Sequence, residues 1–147
     1  MKSNPLHLLL ADDDEDDCMF FREALNELAV SSSLQTVANG VQLMQLLTSE
    51  LHLPDVVFMD LNMPRKAGYD CLVEIKANEK LKKIPIIIYS TSYDHDVVKL
   101  LYQLGAQHYV RKPGEFTKLK KIILEAITTT IKENRQKPLL ENFVIEI

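Results

Sequence analysis

The sequence is short of glycine, of basic charge and of long apolar runs, and each shortage excludes a class of protein. Only 4 of its 147 residues are glycine, and they form no glycine-rich loop of the kind that cradles a ligand's phosphate. The formal net charge of -4 provides no basic surface for direct binding of nucleic acid. No apolar run approaches the roughly 18 residues of a membrane-spanning helix, and Met1–Pro5 lacks the apolar stretch of a signal peptide.

Cysteine is equally scarce, which bears on the compartment. The 2 cysteines, Cys18 and Cys71, fall inside helix-like patterns, where free core thiols in a reducing cytosol are expected. We therefore expect a cytoplasmic protein that makes no direct contact with nucleic acid or membrane. The length of 147 residues suits one domain with a real core, and the hydrophobic content of 46% is ordinary for a globular protein.

Short apolar runs alternate with longer amphipathic stretches about five times along the chain. Runs such as Ile86–Ile88 are apolar on both faces, which is typical of a parallel sheet covered by helices on each side. Five such units with right-handed crossovers predict a three-layer α/β/α sandwich. The predicted strands are 6–11, 34–38, 55–60, 85–90 and 107–111, and the predicted helices are 15–29, 40–51, 68–78, 94–104 and 115–133.

This alternation divides the chain into a domain at 6–133, a flexible N-terminus at 1–5 and a C-terminal tail at 134–147. The tail after Pro138 is apolar and alternates weakly in polarity. It could pack on the domain, add an edge strand or serve a partner, and the sequence leaves these three alternatives open.

Polar side chains follow four of the predicted strands, at the point where each strand ends. The first strand runs into Asp12-Asp13, and the later ones run into Asp60, Ser90 and Lys112. Because the carboxyl ends of parallel strands share one edge of a sheet, we expect these groups to converge there. A carboxylate cluster with one hydroxyl and one ammonium can hold a divalent cation and handle a phosphoryl group.

The acidic run from Asp12 to Asp17 has two interpretations. An N-cap at Asp14, followed by a first turn rich in negative charge, accounts for Asp14–Asp17. It does not account for Asp12 and Asp13, which come directly off the strand. Two adjacent carboxylates disfavour ionisation unless a cation neutralises them, and Mg²⁺ suits such a set of oxygen ligands.

The other strand ends also allow two interpretations each. Asp60 could simply cap the following loop, or it could act as a carboxylate nucleophile that carries a phosphoryl group as an acyl phosphate. Asn62 could complete a metal shell with its backbone carbonyl. Ser90 could cap a turn or donate to a phosphoryl oxygen, and Lys112 could be a surface lysine or a point charge for the same group.

Together, these polar residues at the strand ends resemble those of a response-regulator receiver domain. The motifs that carry the resemblance are Leu10-Ala11-Asp12-Asp13, Asp60-Leu61-Asn62-Met63-Pro64 with Gly68, Ser90-Thr91, and Tyr109 three residues before Lys112-Pro113. The resemblance covers about residues 6–130, and its details are most similar to small stand-alone receivers, including those that work beside bacterial phytochrome kinases. It implies a doubly wound, flavodoxin-like (βα)5 fold, with a five-stranded parallel sheet in the order 2-1-3-4-5.

The resemblance also implies a site and a cofactor. Asp60 would accept a phosphoryl group from a sensor histidine kinase or a histidine phosphotransfer protein. Asp12 and Asp13 would bind Mg²⁺ (or Mn²⁺), together with Asp60 and the backbone carbonyl of Asn62. Lys112 would pair with the phosphoryl group.

A switch follows from the same resemblance. Ser90 would contact the phosphoryl group, and the rotamer of Tyr109 would track Ser90, so that phosphorylation reshapes the face made by residues 91–120. Without an attached output domain, the chain would signal through an unknown downstream protein or as a homodimer formed through the 94–120 face. Gly114 departs from the aromatic or aliphatic residue of many receivers, and Asn62 and Ser92 hold positions that tend to tune dephosphorylation.

Two other classes compete with this interpretation. A magnesium-dependent phosphohydrolase with an aspartyl-phosphate intermediate needs a second aspartate two residues after the nucleophile, where this chain has Asn62. A receiver-like module that is never phosphorylated would be expected to lack one of the acidic residues or the lysine at the strand ends, and this chain has all of them. We therefore expect a phosphoacceptor signalling protein that catalyses only its own magnesium-dependent phosphorylation and dephosphorylation.

Overall fold

A parallel sheet of six strands forms the centre of the molecule in the computed structural model, which describes residues 5–49 and 52–146. The strand order is 2-1-3-4-5-6, so the predicted order 2-1-3-4-5 is confirmed and a sixth strand extends it. The elements are β1 (Leu6–Ala11), α1 (Glu15–Asn26), β2 (Ser32–Val37), α2 (Gly40–Ser49), β3 (Val56–Met59), α3 (Gly68–Ala77), β4 (Ile86–Ser90), α4 (His95–Gln103), β5 (His108–Arg111), α5 (Phe116–Glu133) and β6 (Val144–Ile145).

The sheet is buried on both faces, as its apolar runs predict. Every residue of β3 and β4 is buried. Residues Leu8 and Leu10 of β1 pack with α1 and α5, whereas Leu9 and Ala11 pack with α2, α3 and α4. The alternation of side chains along a strand thus supplies both hydrophobic layers of the three-layer sandwich. No helix among the described residues is long and apolar enough to cross a membrane.

The tail adds an edge strand, which is one of the three alternatives that the sequence leaves open. β6 pairs with β5 in parallel register, with Tyr109 opposite Val144 and Val110 opposite Ile145. Phe143, just before β6, is fully buried, and its ring meets that of Tyr102 edge-on with centroids 5.2 Å apart. The sheet therefore ends at the tail rather than at β5.

Polar side chains fasten the tail to the domain. Buried His108 places Nδ1 2.9 Å from the carbonyl oxygen of Phe143 and Nε2 2.7 Å from Oε1 of Glu133. Gln107 donates from Nε2 to the same Glu133 oxygen at 2.8 Å and to the carbonyl of Gln136 at 2.7 Å. The boundary predicted between the domain and the tail at residue 134 remains a prediction, and of the predicted flexible N-terminus only Pro5 lies within the described residues.

Candidate functional site

The four strand ends predicted to carry polar groups lie at one edge of the sheet. Asp12 follows β1, Asp60 follows β3, Ser90 ends β4 and Lys112 follows β5. The backbone ladder continues into this edge, since Asp60 N–H donates to the Ala11 carbonyl at 2.9 Å and Lys112 N–H donates to the Ser90 carbonyl at 2.8 Å. These bonds fix the positions at which the side chains leave the sheet.

Lys112 is the centre of the site. Its Nζ donates to Oδ2 of Asp12 at 2.8 Å, to Oδ2 of Asp60 at 2.9 Å and to Oδ2 of Asp17 at 2.9 Å. The lysine side chain is only 8% exposed, and Asp12 and Asp60 are buried. An ammonium has three donors, so this one is fully satisfied by carboxylates.

The pKa shifts follow from this shared ammonium. Burial alone would lower the pKa of Lys112, but hydrogen bonds to the three carboxylates outweigh burial and raise it above its ordinary value. Burial raises the pKa of Asp12, and the hydrogen bond from Lys112 offsets that effect only in part while the charge of Asp60 adds to it. Burial is therefore the main factor that disfavours the charged form of Asp12 at this site.

Three carboxylates form a group that could hold a metal ion. Asp12, Asp13 and Asp60 each offer an oxygen, and these oxygens all lie within 4.8 Å of one another. Asp13 is exposed, and an open groove lined by Asp13 and Gln42 reaches the cluster from solvent. Hard carboxylate oxygens that solvent can reach are the ligand set that Mg²⁺ and Mn²⁺ take in proteins.

Backbone N–H groups orient two of these carboxylates. Asp14 N–H donates to Oδ1 of Asp12 at 3.0 Å, and Asn62 N–H donates to Oδ1 of Asp60 at 3.2 Å. In each aspartate the other oxygen, Oδ2, faces Lys112. The second bond places Asn62 beside Asp60, while the role predicted for its carbonyl remains a prediction.

The turn after Asp60 depends on a glycine. A Cβ on Gly68 would lie 2.4 Å from the Asp60 carbonyl oxygen, far inside van der Waals contact. Gly68 N–H also donates to the Leu61 carbonyl at 3.0 Å, which closes the loop onto the start of α3. Only glycine lets the helix approach the backbone of Asp60 this closely.

The hydroxyl groups occupy the neighbouring part of the edge. The Oγ atoms of Ser90 and Ser92 lie 3.0 Å apart, and Ser92 N–H donates to Oγ of Ser90 at 3.3 Å. Tyr109 is buried and its hydroxyl donates to the Ser92 carbonyl. The structure therefore connects Ser90 with Tyr109 through the loop residue Ser92, which is the pair for which a switch was predicted.

Asp17 is a site residue that the sequence interpretation missed. The sequence accounts for Asp17 as an acidic residue that interacts favourably with the helix N-terminus, whereas in the structure its side chain reaches Lys112. A signal was present, because Asp17 precedes buried Phe21 by one turn and Phe21 precedes buried Leu25 by another. Residues four apart share one face of a helix, so the inward stripe of α1 begins at Asp17.

Comparison with known proteins identifies the family. Residues 8–124 match the response regulator receiver domain. The match covers most of the chain, so the protein belongs to this family and is a phosphoacceptor in two-component signalling. Receiver domains of this family bind divalent metal and are phosphorylated by histidine kinases.

Individual relatives refine the placement. The chain is 30% identical to response regulator Rcp1 of Synechocystis over 128 residues, which cover 83% of this chain and 87% of Rcp1. The structure of Mn²⁺-bound Rcp1 matches with a TM-score of 0.76 at 28% identity, covering 92% of this chain and all of that one. The phosphorylated cyanobacterial phytochrome response regulator RcpA matches with a TM-score of 0.75 at 30% identity, covering 88% and 92%. The predicted similarity to phytochrome-associated receivers is thereby confirmed.

Proposed function

We propose that Asp60 is the phosphoacceptor and that Lys112 and the neighbouring aspartates prepare it for the transfer. The observation that carries this proposal is the contact of Lys112 Nζ with Oδ2 of Asp60 at 2.9 Å. Asp60 also shares a cluster with Asp12 and Asp13, in which one oxygen of each carboxylate lies within 4.8 Å of the others. No other described group of three acidic side chains meets at a strand end in this way. The donor would be a phosphohistidine on a sensor kinase or a phosphotransfer protein.

Transfer of the phosphoryl group to Asp60 exchanges one bond to phosphorus for another. An oxygen of Asp60 forms a bond to phosphorus as the bond from phosphorus to the histidine nitrogen breaks. The histidine leaves with the bonding electron pair and takes up a proton. Lys112 carries positive charge beside Asp60, so it offsets the charge of the phosphoryl oxygens as they arrive, and most of the catalysis is position and charge.

Asp12, Asp13 and Asp60, with the Asn62 carbonyl, would hold Mg²⁺, or Mn²⁺ as in the relative Rcp1. Burial raises the pKa of Asp12, and a bound divalent cation would favour its charged form. When bound, the ion neutralises carboxylate and phosphoryl oxygens. The Asn62 N–H orients the acceptor Asp60, and the Asp14 N–H orients Asp12 beside it.

Ser90 and Tyr109 would convert the phosphoryl group into a change of surface. A phosphoryl oxygen that takes the Ser90 hydroxyl competes with its contact to Ser92, and Ser92 is the residue to which Tyr109 donates. A local hydrogen-bond change would thus reach the buried ring of Tyr109 and the face around it. Tyr93, whose ring centroid lies 5.9 Å from that of Tyr109, is 41% exposed and lies on this face.

The partner surface that we propose is the 94–120 face, extended by the tail. β6 lies beside β5, and a cleft between α4 and the tail is lined by apolar Val98, Leu140 and Val144 together with charged Lys99 and Glu141. A homodimer formed through this face, or a downstream protein that binds it, belongs to the same proposal. So does a cytoplasmic location, since Cys18 and Cys71 are both free thiols.

Incubation with acetyl phosphate and MgCl₂, followed by intact-mass measurement, tests the acceptor. We expect a single phosphoryl adduct that needs Mg²⁺, is absent from Asp60→Asn and persists in Asp70→Asn, a control aspartate exposed in the first turn of α3. An adduct that survives in Asp60→Asn would contradict the assignment. Absence of an adduct from the wild type under all conditions would favour a module that works without phosphorylation.

Two further measurements test the remaining parts. Decay of the adduct after donor removal, slowed by EDTA, is expected if the protein promotes its own dephosphorylation; decay indifferent to EDTA would contradict that. Size-exclusion chromatography with and without beryllofluoride should show a larger species only with the phosphoryl mimic. An unchanged elution volume would remove the homodimer from the proposal.

A further inference from the structure

Asp17 is the one partner of Lys112 that lies outside the group of carboxylates suited to a cation. Resting on the proposed function, we infer that Asp17 is a positioning residue that retains Lys112 when a divalent cation takes Asp12, Asp13 and Asp60. Without it, the ammonium and the cation would compete for the same two carboxylates. Asp17 thereby affects both the affinity of the site for Mg²⁺ and the position of Lys112 when Mg²⁺ is bound.

A count of hydrogen bonds defines the competition. The three N–H donors of Lys112 reach one oxygen on each of Asp12, Asp17 and Asp60, at 2.8, 2.9 and 2.9 Å. Two of these acceptors, Asp12 and Asp60, are also in the cation group. A cation bound there draws on the same negative charge and repels the ammonium. Asp17 is left as the acceptor that the cation does not engage.

The position of Asp17 suits this role because its backbone is fixed. Its N–H donates at 3.1 Å to Oδ1 of Asp14, the residue that caps α1, and buried Phe21 anchors the next turn. The Asp17 side chain is 33% exposed, whereas that of Lys112 is 8% exposed. The carboxylate thus stands at the rim of the site and faces the ammonium from the side of α1.

The aromatic neighbour of Lys112 offers no substitute for Asp17. Lys112 Nζ lies 5.1 Å from the centroid of the Tyr89 ring, a contact that favours a cation but supplies no formal charge. Among the described residues, four side chains contact the ammonium, and of these only Asp17 is negatively charged and lies outside the group of carboxylates suited to a cation.

Calorimetric titration of the whole protein with MgCl₂ tests the inference without any phosphoryl donor. Asp17→Asn should weaken Mg²⁺ binding roughly fivefold, the scale of one partly exposed ion pair. Asp16→Asn is the matched control, because Asp16 is exposed on the same helical turn and the substitution removes the same charge. This control should change the Mg²⁺ affinity less than about twofold. Asp17→Glu, which keeps the charge, should restore most of the affinity.

The same titrations in a Lys112→Met background separate positioning from direct binding. If Asp17 acts through Lys112, the excess effect of Asp17→Asn over Asp16→Asn should disappear there. Persistence of that excess would overturn the inference, since Asp17 would then act on the cation itself. Equal effects of Asp17→Asn and Asp16→Asn in the wild-type background would overturn it as well.

Two safeguards keep these outcomes distinct. Circular dichroism establishes whether Lys112→Met is folded, and if it is not, the comparison among Asp17→Asn, Asp17→Glu and Asp16→Asn decides alone. Failure of the wild type to bind Mg²⁺ or to form an adduct would count against the proposed function. A wild type that does both, with Asp17→Asn indistinguishable from Asp16→Asn, would count against the role of Asp17 only.

Discussion

The charged half of the site and its hydroxyl half are held together in different ways. In the charged half, Lys112 joins Asp12, Asp17 and Asp60 from segments 100, 95 and 52 residues away, through side-chain ion pairs. In the hydroxyl half, Ser90 contacts Ser92 two residues on, and the Tyr109 hydroxyl binds a backbone carbonyl. A divalent cation should therefore change the effect on unfolding free energy of substitutions in the charged half only.

Lys112→Met should produce the largest effect. It leaves the buried carboxylates of Asp12 and Asp60 without their counter-charge, which costs about 3 kcal/mol of unfolding free energy. Urea unfolding in EDTA should show this loss, and MgCl₂ should recover part of it by supplying positive charge. Lys118→Met, at a lysine 56% exposed and 3.9 Å from Glu115, should change little in either buffer. A loss in Lys112→Met that MgCl₂ does not alter would break the distinction between the halves.

Ser90→Ala should have a smaller effect that is independent of the cation. Ser90 is fully buried, and its loss removes the oxygen that accepts from the Ser92 N–H and lies 3.0 Å from the Ser92 hydroxyl. We expect about 1.5 kcal/mol less unfolding free energy, equal in EDTA and in MgCl₂. Thr91→Ala, at the exposed neighbour, serves as the control. If MgCl₂ restored the unfolding free energy of Ser90→Ala, the two halves would be coupled before phosphorylation.

Tyr109→Phe should cost less again. It removes the hydroxyl that donates to the Ser92 carbonyl, but Ser92 is exposed and its carbonyl can bind water instead. A loss of about 0.7 kcal/mol in urea unfolding is expected. Tyr93→Phe changes an exposed ring and should be neutral. A loss above about 2 kcal/mol would mean that the Tyr109 hydroxyl organises more than this one carbonyl.

The two cysteines offer the mildest test. Burial, helped by the charges of Asp12 and Asp17, raises the pKa of Cys18 to about 11, and burial raises that of Cys71 to about 11. Because the thiolate is the reactive form, both should react slowly with a thiol reagent at pH 8, faster as pH rises towards 11. Asp17→Asn removes a negative charge near Cys18 and should speed its reaction roughly twofold, with Cys71 as the internal control. Equal acceleration of both thiols would point to general loosening.

Much of this architecture could be predicted because it depends on the period of apolar residues and on the points where strands end. Ile86–Ile88 indicated a two-sided buried strand, and the ends at Asp12, Asp60 and Lys112 indicated one polar edge. Exposure was less predictable: Tyr69 follows the helical period of α3 but is 42% exposed. The spacing of apolar residues shows which residues share a face of the helix. The position of each residue along the helix axis decides which neighbouring element covers it.

The sequence left the edge strand of the tail as one of three alternatives and gave no contact for Asp17, for a related reason. Val144 and Ile145 pair with Tyr109 and Val110 across more than thirty residues of chain, and two residues carry too little pattern to define a strand or its register. Asp17 has an ordinary explanation as an acidic residue in a first helical turn. Only its approach to Lys112, 95 residues away, reveals its second role.

The short sixth strand also bears on how this protein behaves at high concentration. Without β6, the backbone of β5 would present an open row of donors and acceptors along the segment His108–Val110. Such a row is a template for strands from other molecules. β6 covers that row, and at two residues it offers a newcomer very little to pair with. We therefore expect that removal of the tail would expose the edge of β5 and make the protein more prone to aggregate.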